Sequence, residues 1–303
     1  FLFPFIGIKK NSPNYRTAQM LIPSLAPGLS CFPFILEYLG EGFLAKAAMA
    51  DLGNKLFVLL ILYLVAMNWH YKTQNITNRS TGAKFKSLCI AMISEPVNIF
   101  IAAALILLFL GINMNSIPFL FSESLSRLSL LMTPLVLLFI GLSVNIKKRQ
   151  FAEIVSLLLV RAGIVVFLAI GLIRVADIVI AEDRLLLLAF GLSACSFWPF
   201  AHIAAVDAQE KRVLNSRKTF NQNFAINILA LSFPLSVVLI LGILSAGNQV
   251  ADLFTLVILA FVLLGCGLVY PLFLKFTQKK NTEDLPNVTE AEQLYNLKRV
   301  SEN

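Results

Sequence analysis

Three kinds of residue in this sequence could do chemistry: charges inside apolar runs, a histidine beside a proline, and small polar residues flanking prolines. Arg161 lies near the middle of the apolar run 152–174. A charge at the centre of a membrane helix costs on the order of 2.5–3.5 kcal/mol on insertion scales, so it is retained for a reason. Two readings stand: a counter-charge for an anionic solute, or a partner for a carboxylate elsewhere in the bundle. Glu95 lies less deep in the run 88–112 and is open to proton or cation coupling or to a structural pair. Glu37 and His202 follow Pro33 and Pro199 by about one helical turn, which places both near those prolines. His202 could titrate near neutral pH or simply bond a backbone carbonyl. Gly28, Ser30, Ser196, Asn221 and Asn223 offer close backbone approach and neutral hydrogen bonds, or else small polar packing. Asp51 and Asn54 read as capping residues at a helix start.

Other chemistries find little support. Ser193 and His202 share one segment, and their separation puts them about 180° apart on an unbroken helix, against a Ser/His hydrolase. No H-E-x-x-H pair and no G-x-x-x-x-G-K-[ST] loop occurs, so neither metal hydrolysis nor nucleotide-driven pumping is expected, and no cofactor is implied. Cys31, Cys89, Cys195 and Cys266 each sit in an apolar stretch without metal spacing, as packing residues.

The elements that must position these residues follow from composition. Of 303 residues, 58% are hydrophobic and 14% charged, with a mean hydropathy of +0.79. That leaves too little polar surface for a soluble domain, which averages about 25% charged residues. A helix crosses the hydrocarbon core with about 20 apolar residues. Eight stretches qualify, near 18–40, 53–69, 88–112, 128–145, 152–174, 185–206, 224–246 and 252–275. The expectation is an all-α polytopic membrane protein, with a transmembrane domain over 1–276 and a polar tail over 277–303. Phe1 to Ile8 reads as the end of a helix whose start is missing.

A net charge of +8 could suggest nucleic acid, but its placement argues for a bilayer instead. Basic residues mark alternate loops: Lys9, Lys10 and Arg16; Lys72, Arg79, Lys84 and Lys86; Lys147, Lys148 and Arg149; Lys211, Arg212, Arg217 and Lys218; Lys275, Lys279 and Lys280. The intervening loops hold Lys46, Arg127 and Arg184, with Lys55 and Arg174 at their edges. By the positive-inside rule the first set is cytoplasmic, and so is the C-terminal tail. The Asn75 and Asn78 sequons fall on an inside loop and read as chance matches.

Two spans are unusual. The first carries Pro23, Pro27, Gly28 and Pro33, and the second carries Pro199. Proline removes a backbone donor and clashes with the preceding turn, which predicts interrupted helices. Ser30-Cys31-Phe32-Pro33-Phe34 parallels Ser196-Phe197-Trp198-Pro199-Phe200, and each is followed by an asparagine-opened span. The charge pattern runs the two copies in opposite directions. Inverted repeats with a discontinuous helix in each half are a mark of secondary transporters.

Gly28 to Pro33, Gly40-Glu41-Gly42, Asp51-Leu52-Gly53-Asn54, Glu95-Pro96 and Thr133-Pro134-Leu135 through Ser143, in that order, resemble the auxin efflux carrier family of permeases. The resemblance implies ten helices in two inverted five-helix repeats with two proline-broken crossover helices. It also implies alternating-access transport of a small organic anion across the cytoplasmic (inner) membrane, with proton or sodium coupling and a homo-oligomer both open. A chain of this kind would begin late in the third helix. Three features depart from the family pattern: Ala26-Pro27-Gly28 in place of Asn-Thr-Gly, Glu95 in place of Asn, and the added helix 252–275.

Overall fold

The computed structural model describes residues 3–74, 116–143, 147–211 and 217–283, with scattered positions between 103 and 112. Every regular element among the described residues is helical. Among the described residues, four helices are long and apolar enough to cross a membrane: Glu41–Thr73, Gln150–Val175, Gln222–Ala246 and Leu253–Leu272. Large apolar side chains stand exposed around the perimeter, including Phe119, Leu168, Val238 and Phe254. An apolar perimeter over a helical interior suits a protein whose solvent is lipid, where every backbone group is satisfied within a helix or by a buried partner. The expected span 88–112, and Glu95 within it, lie outside the described residues.

After a short 3-10 turn at Phe3–Ile6 comes α1 (Pro13–Leu21), capped by Ser12, whose hydroxyl accepts from the Tyr15 N–H, and opened by proline at its first position. Then come α2 (Pro27–Ser30) and α3 (Phe32–Leu39). The prolines of α2 and α3 lie in their first turns, where a helix has no use for the missing N–H. Only Gly40 separates α3 from the next helix, at φ 90° and ψ 178°, a backbone conformation that L side chains rarely adopt.

Helix α4 (Glu41–Thr73) corrects one expectation. It starts some twelve residues before the predicted span at 53, because the stretch with Ala45, Ala47, Ala48 and Ala50 is made of good helix formers even though it is not uniformly apolar. Asp51 and Asn54 are therefore mid-helix residues and cap nothing. One turn of α4, Phe57–Ile61, is π-helical.

The remaining helices are α5 (Phe119–Ser143), α6 (Lys148–Val175), α7 (Ala181–Gly191), α8 (Phe197–Lys211), α9 (Gln222–Ala246), α10 (Asn248–Ala251) and α11 (Leu253–Glu283). Pro134, Pro234 and Pro271 lie inside continuous helices. Helix α11 runs seven residues past the expected boundary at 276. Two apolar clusters form the core. One gathers Met20, Leu21, Tyr63, Leu158, Ile203 and Phe224; the other gathers Cys31, Ile35, Val166, Leu188, Ile240 and Leu256. Helices α6 and α9 contribute to both.

Helix α11 is packed along α6 through glycines. The Ser156 hydroxyl donates to the Gly267 carbonyl. A Cβ on Gly267 would come 2.8 Å from the Val160 backbone nitrogen and 3.0 Å from the Ser156 oxygen. Small residues at such contacts let backbones approach in lipid. We expect Gly267→Ala to cost about 1–3 kcal/mol through overpacking, and Gly265→Ala, which meets open space, to cost far less. Thermal unfolding of the two variants in the same detergent checks this; equal midpoints would refute the close-approach account.

Candidate functional site

Two non-helical segments meet near the middle of the bundle. Helix α1 ends at Leu21 and α2 resumes at Pro27; α7 ends at Gly191 and α8 resumes at Phe197. Both ends are 170 residues apart. Pro33 and Pro199 do not keep this spacing: Pro33 lies in the first turn of α3 and Pro199 in the first turn of α8.

The segments cross antiparallel and satisfy each other's backbone. The Ala26 N–H donates to the Ala194 carbonyl at 2.8 Å. The Ser30 hydroxyl accepts from the Ala194 N–H (2.9 Å) and donates to the Ala26 carbonyl (3.0 Å). The Ser24 hydroxyl accepts from the Ser196 N–H (3.0 Å) and donates to the Leu21 carbonyl (2.6 Å). From α9, the Ser232 hydroxyl accepts from the Cys195 N–H at 3.2 Å. Hydroxyls serve well here because each donates and accepts at once.

Arg161 completes the crossing. Its guanidinium, 8% exposed, donates to the carbonyls of Ile22 (2.8 Å), Ser24 (3.2 Å) and Ser193 (2.9 Å). Neither sequence reading of Arg161 describes this arrangement. Its partners are the carbonyl ends of two interrupted helices, which carry partial negative charge, and no carboxylate pairs with it among the described residues.

Beside the crossing lies a cavity of about 390 Å³ whose walls include Gly28, Asp51, Asn54, Lys55, Ser196 and Trp198. Asn54 Nδ2 donates to the Leu25 carbonyl (3.0 Å) and to Asp51 Oδ1 (2.9 Å), and Lys55 Nζ lies 3.2 Å from Asp51 Oδ2. Asp51 is buried and Lys55 exposed. The first turn of α8 also opens on this cavity, with the Trp198 N–H on the Ser196 hydroxyl at 3.3 Å. A cation, a carboxylate, a carboxamide and a helix N-terminus thus converge on one volume. A methyl on Gly28 would meet only the Phe32 ring at 4.0 Å, so packing does not demand glycine there.

Of the residues singled out from sequence, Gly28, Asp51, Asn54 and Ser196 line this cavity, and Ser30 braces the crossing behind it. His202 is buried elsewhere: its Nε2 lies 3.0 Å from the Val58 carbonyl, so that nitrogen donates, and its ring meets Tyr63 edge-on at 5.3 Å. In the π turn the Leu62 N–H goes to Phe57, not to Val58 as an α-helix would have it. Glu37 and Pro33 are exposed on α3, and Pro199 is buried in the first turn of α8. Asn221 caps α9 through the Phe224 N–H and bonds Asn14, and Asn223 is exposed; neither reaches the crossing.

Sequence reasoning missed Ser24 and Ser232, whose hydroxyls meet residues elsewhere in the chain, and weighed Ser193 only as a hydrolase residue, not as a carbonyl partner of Arg161. It also missed a buried network at the basic end. There Glu210 accepts from the Thr219 N–H and hydroxyl and from Gln74, with His70 Nδ1 at 3.0 Å.

No protein-family profile, curated protein or solved structure matches this chain.

Removing Arg161 would orphan three buried carbonyls, and a charge-assisted hydrogen bond is worth about 1.5–3 kcal/mol. Arg161→Gln is expected to lower the detergent melting midpoint sharply. Arg161→Lys, which keeps the charge but not the fork, should recover part of the loss. Wild-type stability in Arg161→Gln would remove the guanidinium as the brace of the crossing.

Proposed function

We propose that this chain is a secondary transporter of the auxin efflux carrier type, moving a small carboxylate-bearing organic anion across the cytoplasmic membrane by alternating access. The observation that carries the reading is the antiparallel crossing of residues 22–26 and 192–196 beside a polar cavity. Unwound peptide and half-helix ends at one level of a bundle are how carriers build a solute site within a bilayer. The constant 170-residue offset between helix ends supports two inverted repeats, each with a broken crossover helix.

The cavity's chemistry suggests separate roles. Lys55 and the N-terminus of α8 attract a carboxylate. Asn54 orients it while bonded to the crossing at Leu25. Asp51, buried and held by Asn54 and Lys55, is the candidate for proton or sodium coupling. Arg161 does not line this cavity; its Nε and one terminal nitrogen hold the carbonyls of the crossing.

Arg16, Lys72, Arg217 and Lys218 come together at one end, and Lys46, Asp183 and Arg184 at the other. On the positive-inside rule the first end is cytoplasmic, and α11 then carries the C-terminus to that side.

Proteoliposomes loaded with a panel of mono- and dicarboxylates and indole acids test the reading. Saturable counterflow of at least one solute is expected. Asn54→Ala should slow it about tenfold, the kinetic equivalent of one lost hydrogen bond, and the exposed Glu37→Gln should leave it unchanged. An ion current without exchange of any solute, or hydrolysis of one, would overturn it.

A further inference from the structure

The basic end holds a second concavity, which shares no wall residue with the one at the crossing. It encloses about 320 Å³ between Arg16 of α1, Lys72 and Thr73 of α4, and Arg217 and Lys218 ahead of α9. Four cations from three separate stretches of chain line it, and no carboxylate does. Other lysines sit beside a carboxylate, Lys211 by Asp207, Lys55 by Asp51 and Lys46 by Asp183. Among the described residues, none of these four forms an ion pair. The acid of this region, Glu210, acts on Arg16 through space but lines no part of the pocket; it is 4% exposed, with its oxygens bonded by His70, Gln74 and Thr219.

Basic loops alone would scatter such charges. Here the backbone and Arg16 are tied in place. Arg16 donates through Nε to the Thr219 carbonyl (2.9 Å) and through a terminal nitrogen to the Thr73 hydroxyl (3.1 Å), which itself donates to the Trp69 carbonyl. Gln74 donates to the Arg217 carbonyl at 2.8 Å. The rest of the guanidinium's N–H groups remain for a ligand. Trp69, stacked near Phe220 at 6.1 Å between ring centres, is of the type that settles at headgroup depth, one turn from Thr73.

Such a pocket calls for an anion with more than one negative charge and several acceptor oxygens. A phosphoryl group brings about −1.5 to −2 charges near neutral pH and three acceptor oxygens, and guanidinium matches it in geometry. A monocarboxylate would leave most of the positive charge unopposed. We propose that Arg16, Lys72, Arg217 and Lys218 form a binding site for a phosphoryl group, presented on a lipid headgroup or as a soluble phosphate. The site does not depend on the transport reading, because its readout is binding.

The test uses the full chain in detergent, with native mass spectrometry and thermal shift. Probes are phosphatidic acid, phosphatidylcholine and inorganic phosphate, against chloride at equal ionic strength. The variant Lys72→Gln/Lys218→Gln changes two exposed side chains, with Lys218→Gln alone as the milder form. Lys9→Gln/Lys10→Gln removes the same charge from the same end away from the pocket. Wild type should bind phosphatidic acid, inorganic phosphate or both above the chloride control. The pocket variant should bind at least about tenfold more weakly, since each basic residue near a membrane surface is worth ~1 kcal/mol toward anionic lipid, and the control should match wild type. Binding of phosphatidic acid alone identifies a headgroup; a matching response to inorganic phosphate identifies a soluble ligand. The proposal falls if neither probe exceeds chloride, if the pocket variant binds like wild type, or if the control loses as much as the pocket variant.

Discussion

The structure depends on one arginine. An interrupted helix leaves carbonyls at its end that have no partner in the next turn, and inside a bilayer there is no water to take their place. Here two such ends, at Leu21 and Gly191, are brought to one spot. Each carries the negative pole of its helix, so they repel as well as lack donors. Arg161 resolves both problems by placing a delocalised charge across the carbonyls of Ile22, Ser24 and Ser193. The cost of burying that charge is offset by three acceptors, two helix dipoles and a fork of donors that matches them. Lysine has the charge but not the spread.

This bookkeeping decides the electrostatics of the neighbouring cavity. With the carbonyl ends neutralised by Arg161, what remains at the crossing is the positive pole of α8 and the Asp51–Lys55 pair. The helix N-terminus and the exposed Lys55 are the positive groups of this cavity. The sequence offered a solute or a carboxylate as the partner of Arg161 and left out backbone carbonyls, which composition cannot display and which the guanidinium bonds here.

Much of the architecture was legible. Apolar runs outlined the long helices, and the alternation of basic loops grouped Arg16, Lys72, Arg217 and Lys218, which do meet at one end. Helices end at Leu21 and Gly191 within the two unusual spans, yet proline is an unreliable guide to where. Pro134, Pro234 and Pro271 sit in unbroken helices, while 192–196 is non-helical and contains no proline. That second break is specified from elsewhere, by Ser24, Ser30, Ser232 and Arg161 capturing its peptide groups. Contacts separated by 32 to 172 residues leave no local trace. Asp51 and Asn54 were picked out as polar residues worth attention but assigned to a helix start, because an alanine-rich turn preceding an apolar run looks like a loop.

Helix α4 shows how such misreadings compound. Up to Val58 its buried positions, Ala47, Asp51 and Val58, follow an α-helical stripe toward the crossing. Continued at the same period, that stripe would present Trp69 and Lys72 to the core. The π turn at Phe57–Ile61 inserts one residue and rotates the helix face by about 100°, so that the buried face beyond it widens to Leu62, Tyr63, Ala66, Met67 and His70, with Lys72 exposed. Lys72 is thereby left free for the basic pocket, His70 reaches Glu210, and the displaced Val58 carbonyl is taken up by His202. A single inserted residue thus lets one helix serve the crossing at one level and the basic end at another. Of the two readings the sequence left open for His202, titration or a bond to a backbone carbonyl, the second describes this contact, and it makes the histidine the support of a register shift.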